Sequence, residues 1–290
     1  MSIVGVRHPN GAVDVGRLGE DGATVTVLAS LEEFWRAPGR YLASPTPDDA
    51  VASTDLELVP PVLPGARVFC VGLNYREHVE EGSYRDAESP RHPTLFGRWP
   101  DTLSVSGKDV PVPTGEDGLD WEGEVVAWIG STLTDSTPDA ALAAVVGYST
   151  FNDITARRAQ KLTSQWTLGK NADASGPLGP LVPAADVGDL RDGLRVRTRV
   201  NGEVVQDGST DQMIFTVGDT LAHISRTTTL RPGDLLATGT PSGVGYARTP
   251  VWLLRPGDIV EVEVEKLGRI RNRIVGSEAR RHPTGPSGTV

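Results

Sequence analysis

Short apolar runs rich in β-branched residues, each closed off by Gly, Pro, Asn or Asp, recur along the whole chain and constrain its fold more than any other feature. Runs of this kind read as strands. Residues 22–28 (GATVTVL), 67–73 (RVFCVGL) and 123–130 (GEVVAWIG) are three of them. Residues 195–208 (RVRTRVNGEVVQDG) carry a strong hairpin signal, with Asn201-Gly202 as the two-residue turn. Residues 231–239 and 255–275 each enter a strand through a Pro-Gly-Asp turn. In the second, Glu261, Glu263 and Glu265 alternate with Val260, Val262 and Val264, the pattern of a half-buried strand with a solvated face. Helical signals are fewer. Residues 30–38 start at a Ser30 cap and stop at Pro38, residues 137–147 run from a Thr cap to a closing Gly, and residues 218–228 place Leu221, Ile224 and Ser225 at helical spacing. Strands with a few interspersed helices, and no regular strand–helix alternation, predict an α+β, mostly β fold. Its core is expected to be a mixed, mostly antiparallel sheet or a barrel-like form, rather than a doubly wound fold.

The 290 residues suffice for a sizeable core and suggest about two domains. A proline-rich stretch at 58–66 (LVPPVLPGA) reads as a linker. The expected division is a small N-terminal domain over 1–62, a main domain over 63–276, and a polar tail over 277–290. Lys and Arg number 28 against 38 Asp and Glu, for a net charge of −10, which argues against a nucleic-acid partner. A local site can still oppose that charge. The single cysteine, Cys70, excludes an intrachain disulfide and a Cys-rich zinc site. The start lacks a basic stretch followed by an apolar one, and no apolar run approaches the ~18 residues that span a bilayer. A cytoplasmic protein with no membrane partner is the expectation.

Five segments carry candidate chemistry. In residues 119–130 (LDWEGEVVAWIG), Glu122 and Glu124 are two apart, so on a strand they share a face at the start of an apolar run. Buried together they repel and lose hydration, a cost that a hard divalent cation such as Mg²⁺, Mn²⁺ or Ca²⁺ offsets. The same spacing also fits an exposed acidic edge, and these residues alone leave both readings open. Residues 147–160 (GYSTFNDITARRAQ) run from strand to helix. There Asp153 is either a helix cap or a third carboxylate ligand, with Arg157 and Gln160 a turn further on. His78 and Glu81, three apart in residues 71–84, share a face on one helical turn and can form a water-activating dyad or a solvated acidic turn. Lys170 precedes a Gly/Ala/Pro-rich loop, placed either to polarise a carbonyl or to face solvent. Residues 237–245 (ATGTPSGVG) have small side chains that let backbone N–H groups approach an anion, without the ending of a nucleotide-binding P-loop.

In this order, the stretches VGLNYREH, LDWEGEVVAWIG, GYSTFNDITARRAQ, QWTLGKNADASGPLGP, VNGEVVQDGSTDQMIF and LRPGDLLATGTPSGVG resemble the fumarylacetoacetate hydrolase family over residues 68–275. The resemblance implies that family's barrel-like β fold, commonly a homodimer. It implies Mg²⁺ or Mn²⁺ held by Glu122, Glu124 and Asp153, a catalytic set of His78, Glu81 and Lys170, and substrate contacts from Arg157, Gln160 and Thr240. Family substrates are acylpyruvate-like 1,3-dicarbonyl and 2-oxo acids. The leading expectation is hydrolysis of a C–C bond, followed by a lyase or isomerase on the same metal site and then a non-catalytic homologue. Three departures bear on the pocket: Arg98-Trp99 in place of a common Lys-Pro pair, the loop at 82–92, and ADASG at 172–176.

Overall fold

The computed structural model describes residues 1–20, 22–43, 49–81 and 91–280. Three sheets are present among them. The first is antiparallel and N-terminal, in the order Ala50–Ala52, Thr24–Ser30, Val13–Leu18, Ser2–Arg7, Glu57–Val59. The central sheet runs Thr94–Arg98, Val68–Gly72, Leu235–Ala237, Gly123–Ile129, Val145–Asn152, Gly176–Leu178, Leu103–Val105, with Val182–Pro183 also paired to Val145–Asn152. The third runs Glu203–Ser209, Arg195–Val200, Ile259–Val264, Gly268–Val275, Val110–Pro111. Most pairs are antiparallel. Three are parallel, joining Val68 to Leu235, Leu103 to Gly176, and Val110 to Ile274. The mostly β architecture with a curled half-barrel sheet matches the expectation from turn chemistry.

Local signals account for much of this. Asn201, at φ 51°, and Gly202, at φ 88°, form the hairpin turn. Asp234 and Asp258, the acids of the two Pro-Gly-Asp turns, accept the backbone N–H groups of Arg231 and Arg255 at 2.8 and 2.7 Å. Ser30 caps the helix Leu31–Arg36, and Thr137 caps Pro138–Ala143. That second helix is shorter than the sequence predicts over 137–147. From Val145 the chain is already in the strand Val145–Asn152, paired antiparallel with Gly123–Ile129 around a β-bulge at Val146. The β-branched Val145 and Val146 go with the strand, and tertiary pairing overrides the helical pattern.

The N-terminal sheet and the central sheet bury one apolar cluster between them, including Ile3, Phe34, Trp35, Val68, Cys70, Trp128 and Leu235. Trp35 stacks on Trp128 with ring centroids 5.4 Å apart, and its indole N–H donates to the Pro61 carbonyl at 2.7 Å. The proline-rich stretch is thereby pinned. No helix among the described residues is long and apolar enough to cross a membrane. Trp35→Ala removes a ring that is only 2% exposed. It should cost about 3–5 kcal/mol in urea unfolding, and a loss below about 1 kcal/mol would mean that the stack is dispensable.

Candidate active site

Strand register brings the carboxylates together. Gly123–Ile129 pairs with Val145–Asn152 so that Gly123 faces Asn152 and Glu124 faces Phe151. Beyond the last pair, the Asp153 N–H donates to the Glu122 carbonyl at 2.9 Å, and the Glu122 N–H donates to Asn152 Oδ1 at 3.0 Å. Neither Asn152 nor Asp153 caps the following helix Arg157–Lys161, whose cap position is Ala156. Glu122, Glu124 and Asp153 are all buried, and one carboxylate oxygen from each lies within 4.8 Å of the others.

Three cations are cross-tied into this cluster. Lys170 ends the short helix Thr167–Lys170 and bridges Glu122 Oε2 and Asp153 Oδ2, both at 2.6 Å. Burial opposes its charge, but Asp153 and Glu122 outweigh burial and keep it an ammonium above the usual lysine range. Arg157 donates to Glu122 Oε1 and to Asp120 Oδ2, each at 2.7 Å, and to Gln160 Oε1 at 3.0 Å. Arg98 lies fully buried behind the site and pairs with Asp153 through Nε. Its Nη2 reaches the Ile154 and Ser175 carbonyls at 2.9 and 3.1 Å. The Arg98 departure thus acts on Asp153 from behind, and the ADASG stretch supplies Ser175 to hold it. Trp99, 52% exposed, does not line the cavity. Residues 82–90 of the second departure, the loop at 82–92, lie outside the described residues.

The charges do not balance. Among the described residues, the four acids Asp120, Glu122, Glu124 and Asp153 have three lysine and arginine partners, Lys170, Arg157 and Arg98, one fewer than full ionisation of the acids would need. The acid left without a cation is Glu124, which accepts from the Gly239 N–H at 3.0 Å. Burial, then the charges of Asp153 and Glu122, push its carboxyl well above the usual range. Glu122 goes the other way, to about 2: burial opposes ionisation, but Lys170 and Arg157 override it. An all-oxygen donor set with surplus buried negative charge fits a hard divalent cation such as Mg²⁺, Mn²⁺ or Ca²⁺. Glu122, Glu124 and Asp153 are the residues that would hold it.

A cavity of about 120 Å³ opens beside the cluster. Glu122, Glu124, Lys170, Arg157, Gln160, His78 and Thr240 all line it. His78 and Glu81 lie on one helix, Arg76–Glu81, with Nδ1 of His78 at 2.8 Å from Glu81 Oε1. The Thr240 hydroxyl is engaged within the protein, donating to the Gly123 carbonyl at 2.9 Å and accepting from Gln206 at 2.8 Å. The loop expected to offer N–H groups to an anion offers them to the protein's own carboxylates. Gly239 donates to Glu124, Gly243 to Glu81 Oε2 at 2.7 Å, and Gly245 to Asp120 Oδ1 at 2.7 Å. Gly245 has no room for a side chain, since a Cβ there would sit 1.9 Å from the Trp252 carbonyl.

Sequence reasoning missed Asp120, Phe96, Lys161, Trp166 and Tyr246. Asp120 was signalled, because the Glu122/Glu124 alternation extends one step back to it. Trp166 and Phe96 form a cavity wall, their rings 5.5 Å apart. Trp166 packs so closely on Gly72 that a Cβ there would lie 2.4 Å from the indole. That contact joins residues far apart in sequence and has no local signature.

Residues 67–275 match the fumarylacetoacetate (FAA) hydrolase C-terminal domain family. The chain belongs to this family, whose members are enzymes and typically use a divalent metal. An oxaloacetate tautomerase of Bacillus subtilis (strain 168), YisK, is 37% identical over 265 residues, which cover 87% of this chain and 86% of that protein. The crystal structure of a putative HpcE protein from Mycobacterium smegmatis superposes with a TM-score of 0.83 at 27% identity, covering 95% of this chain and 99% of that one. That of 2-hydroxyhepta-2,4-diene-1,7-dioate isomerase from Mycobacterium marinum gives 0.75 at 28% identity, covering 95% and 98%.

Two outcomes follow from the electrostatics. A divalent ion held by Glu124 would compete with protonation of that carboxyl, which burial and the neighbouring acids favour. Mn²⁺ affinity measured by calorimetry should therefore rise with pH up to the raised pKa of Glu124 and level off above it, with proton uptake by the buffer. A pH-independent affinity would place the ion elsewhere. Lys170→Met leaves Glu122 and Asp153 without their shared partner. It should destabilise the metal-free protein by about 3–5 kcal/mol in denaturant unfolding.

Proposed function

We propose that the protein is a divalent-metal-dependent enzyme that interconverts the keto and enol forms of a 2-oxo acid, with oxaloacetate as the substrate to test first. The observation that carries this reading is the buried Glu122–Glu124–Asp153 cluster opening onto the same cavity as His78 and Lys170. Its support comes also from the relatives. One is named for tautomerising oxaloacetate and another for isomerising a hydroxydienedioate, both shifts of a proton rather than cleavages. When bound, the divalent ion supplies a Lewis acid that polarises the substrate's keto oxygen.

The chain's own residues do the rest. Lys170 uses two of its three N–H donors on Glu122 and Asp153 and has one left for an oxygen that gains negative charge in the cavity. Glu81 fixes His78 through Nδ1, leaving Nε2 as the nitrogen to carry the proton between the substrate's C3 and the oxygen on C2. Keto and enol differ by that one proton, so no water or co-reactant is consumed. Phe96 and Trp166 make an apolar wall on one side of the cavity.

C–C hydrolysis of acylpyruvates, the first expectation from sequence, stands as the second reading. The His78–Glu81 pair favours it, since a carboxylate-backed imidazole also deprotonates water. One assay separates the two. With Mg²⁺ or Mn²⁺ the wild-type protein should speed the loss of enol absorbance from freshly dissolved oxaloacetate. Glu124→Gln should abolish the gain, and His78→Ala should lower it by about 10²–10⁴-fold. No gain on oxaloacetate, together with cleavage of an acylpyruvate, would replace the tautomerase reading with the hydrolase one.

A further inference from the structure

The cations around the carboxylate cluster are all committed. Lys170, Arg157 and Arg98 each hold at least one buried acid. One cation lining the cavity is different. Lys161 ends the helix Arg157–Lys161 and is exposed at the cavity rim. Among the described residues no carboxylate lies within ion-pair distance of it. Its partner is an aromatic face instead: Lys161 Nζ lies 3.6 Å from the centroid of the Tyr246 ring, which also lines the cavity. A cation–π contact restrains the ammonium while leaving its N–H donors unspent.

Tyr246 is itself held in place. Its N–H donates to Asp120 Oδ2 at 3.1 Å, and the Gly245 N–H before it donates to Asp120 Oδ1 at 2.7 Å. The closely packed Gly245 fixes the turn that presents the ring. Asp120 does not offset Lys161, because its charge is matched by Arg157. The rim therefore carries a restrained positive charge without a counter-charge of its own, beside a cavity whose interior cations are each tied to an acid.

We propose that Lys161, seated on Tyr246, binds the second, distal carboxylate of the substrate and sets the enzyme's preference for dicarboxylic over monocarboxylic 2-oxo acids. This rests on the 2-oxo acid reading above and adds to it the residue that selects among such acids. The first carboxylate and the keto oxygen go to the cluster end of the cavity, and the distal carboxylate goes to the rim.

The test compares oxaloacetate with 2-oxobutyrate, in which a methyl group replaces the distal carboxylate. Both, each already equilibrated between keto and enol forms, are titrated into the Mg²⁺-loaded protein by calorimetry, so that affinity rather than rate is read. The wild type should favour oxaloacetate. Lys161→Met should reduce the ratio of the two affinities by about tenfold, the loss of one charge-assisted contact at a partly solvated site. Lys161→Arg should restore most of it, and Tyr246→Leu, which keeps the charge but removes its seat, should reduce it by about threefold. An unchanged ratio in Lys161→Met, with both affinities intact or both lowered alike, overturns the assignment of Lys161 alone. If the wild type binds neither acid in the presence of Mg²⁺, the 2-oxo acid reading fails and this proposal fails with it.

Discussion

The pair of charge-assisted hydrogen bonds that Lys170 donates to Glu122 and Asp153 is the constraint on which the rest of the site depends. Buried carboxylates at this separation cannot all stay ionised without compensation. A lysine buried among apolar walls would likewise lose its proton without an anion. Each stabilises the charge of the other, and the chain is arranged to bring them together. Strand pairing sets Glu122 beside Asp153, while the short helix after Trp166 delivers Lys170 from the opposite side. Arg157 and Arg98 then fasten the outer oxygens of the two acids. Of the three clustered acids, Glu124 alone has no cation partner among the described residues, and this imbalance is what makes the cluster fit a divalent ion.

The loop at 237–245 shows how one segment serves several residues at once. Its N–H groups reach Glu124, Glu81 and Asp120 in turn. These three acids come from different parts of the chain and have different tasks. Glu124 belongs to the carboxylate cluster, Glu81 backs His78, and Asp120 braces Arg157. The small side chains that looked like a cradle for a foreign anion are needed because three resident anions approach the backbone closely.

Much of the site was legible because it lies on short-range patterns. The Glu122/Glu124 alternation and the His78/Glu81 spacing each encode a shared face, and both pairs are found as their spacing implies. The Asn-Gly and Pro-Gly-Asp turns placed strands correctly for the same reason. What was not legible depends on contacts between distant segments. The end of the helix at Ala143 is decided by pairing with Gly123–Ile129, and no window of local sequence contains that partner. The burial of Arg98 behind Asp153 depends on Ser175, far along the chain. Resemblance drew attention to Arg98 as a departure but gave no hint that it faces away from the cavity.

The cross-tying of the interior charges has a consequence for how such a site diversifies. Every buried charge there except Glu124 is fastened to an opposite one, so a substitution among them disturbs its neighbours and is felt throughout the cluster. The rim is tied less tightly: Lys161 is exposed and its ammonium is held by a single ring, whose backbone N–H reaches Asp120. Descendants of such a chain can exchange rim residues at little cost in stability while the chemistry beneath stays the same. A centre that tolerates almost no change and a rim that tolerates much are what allow one fold to be handed from substrate to substrate.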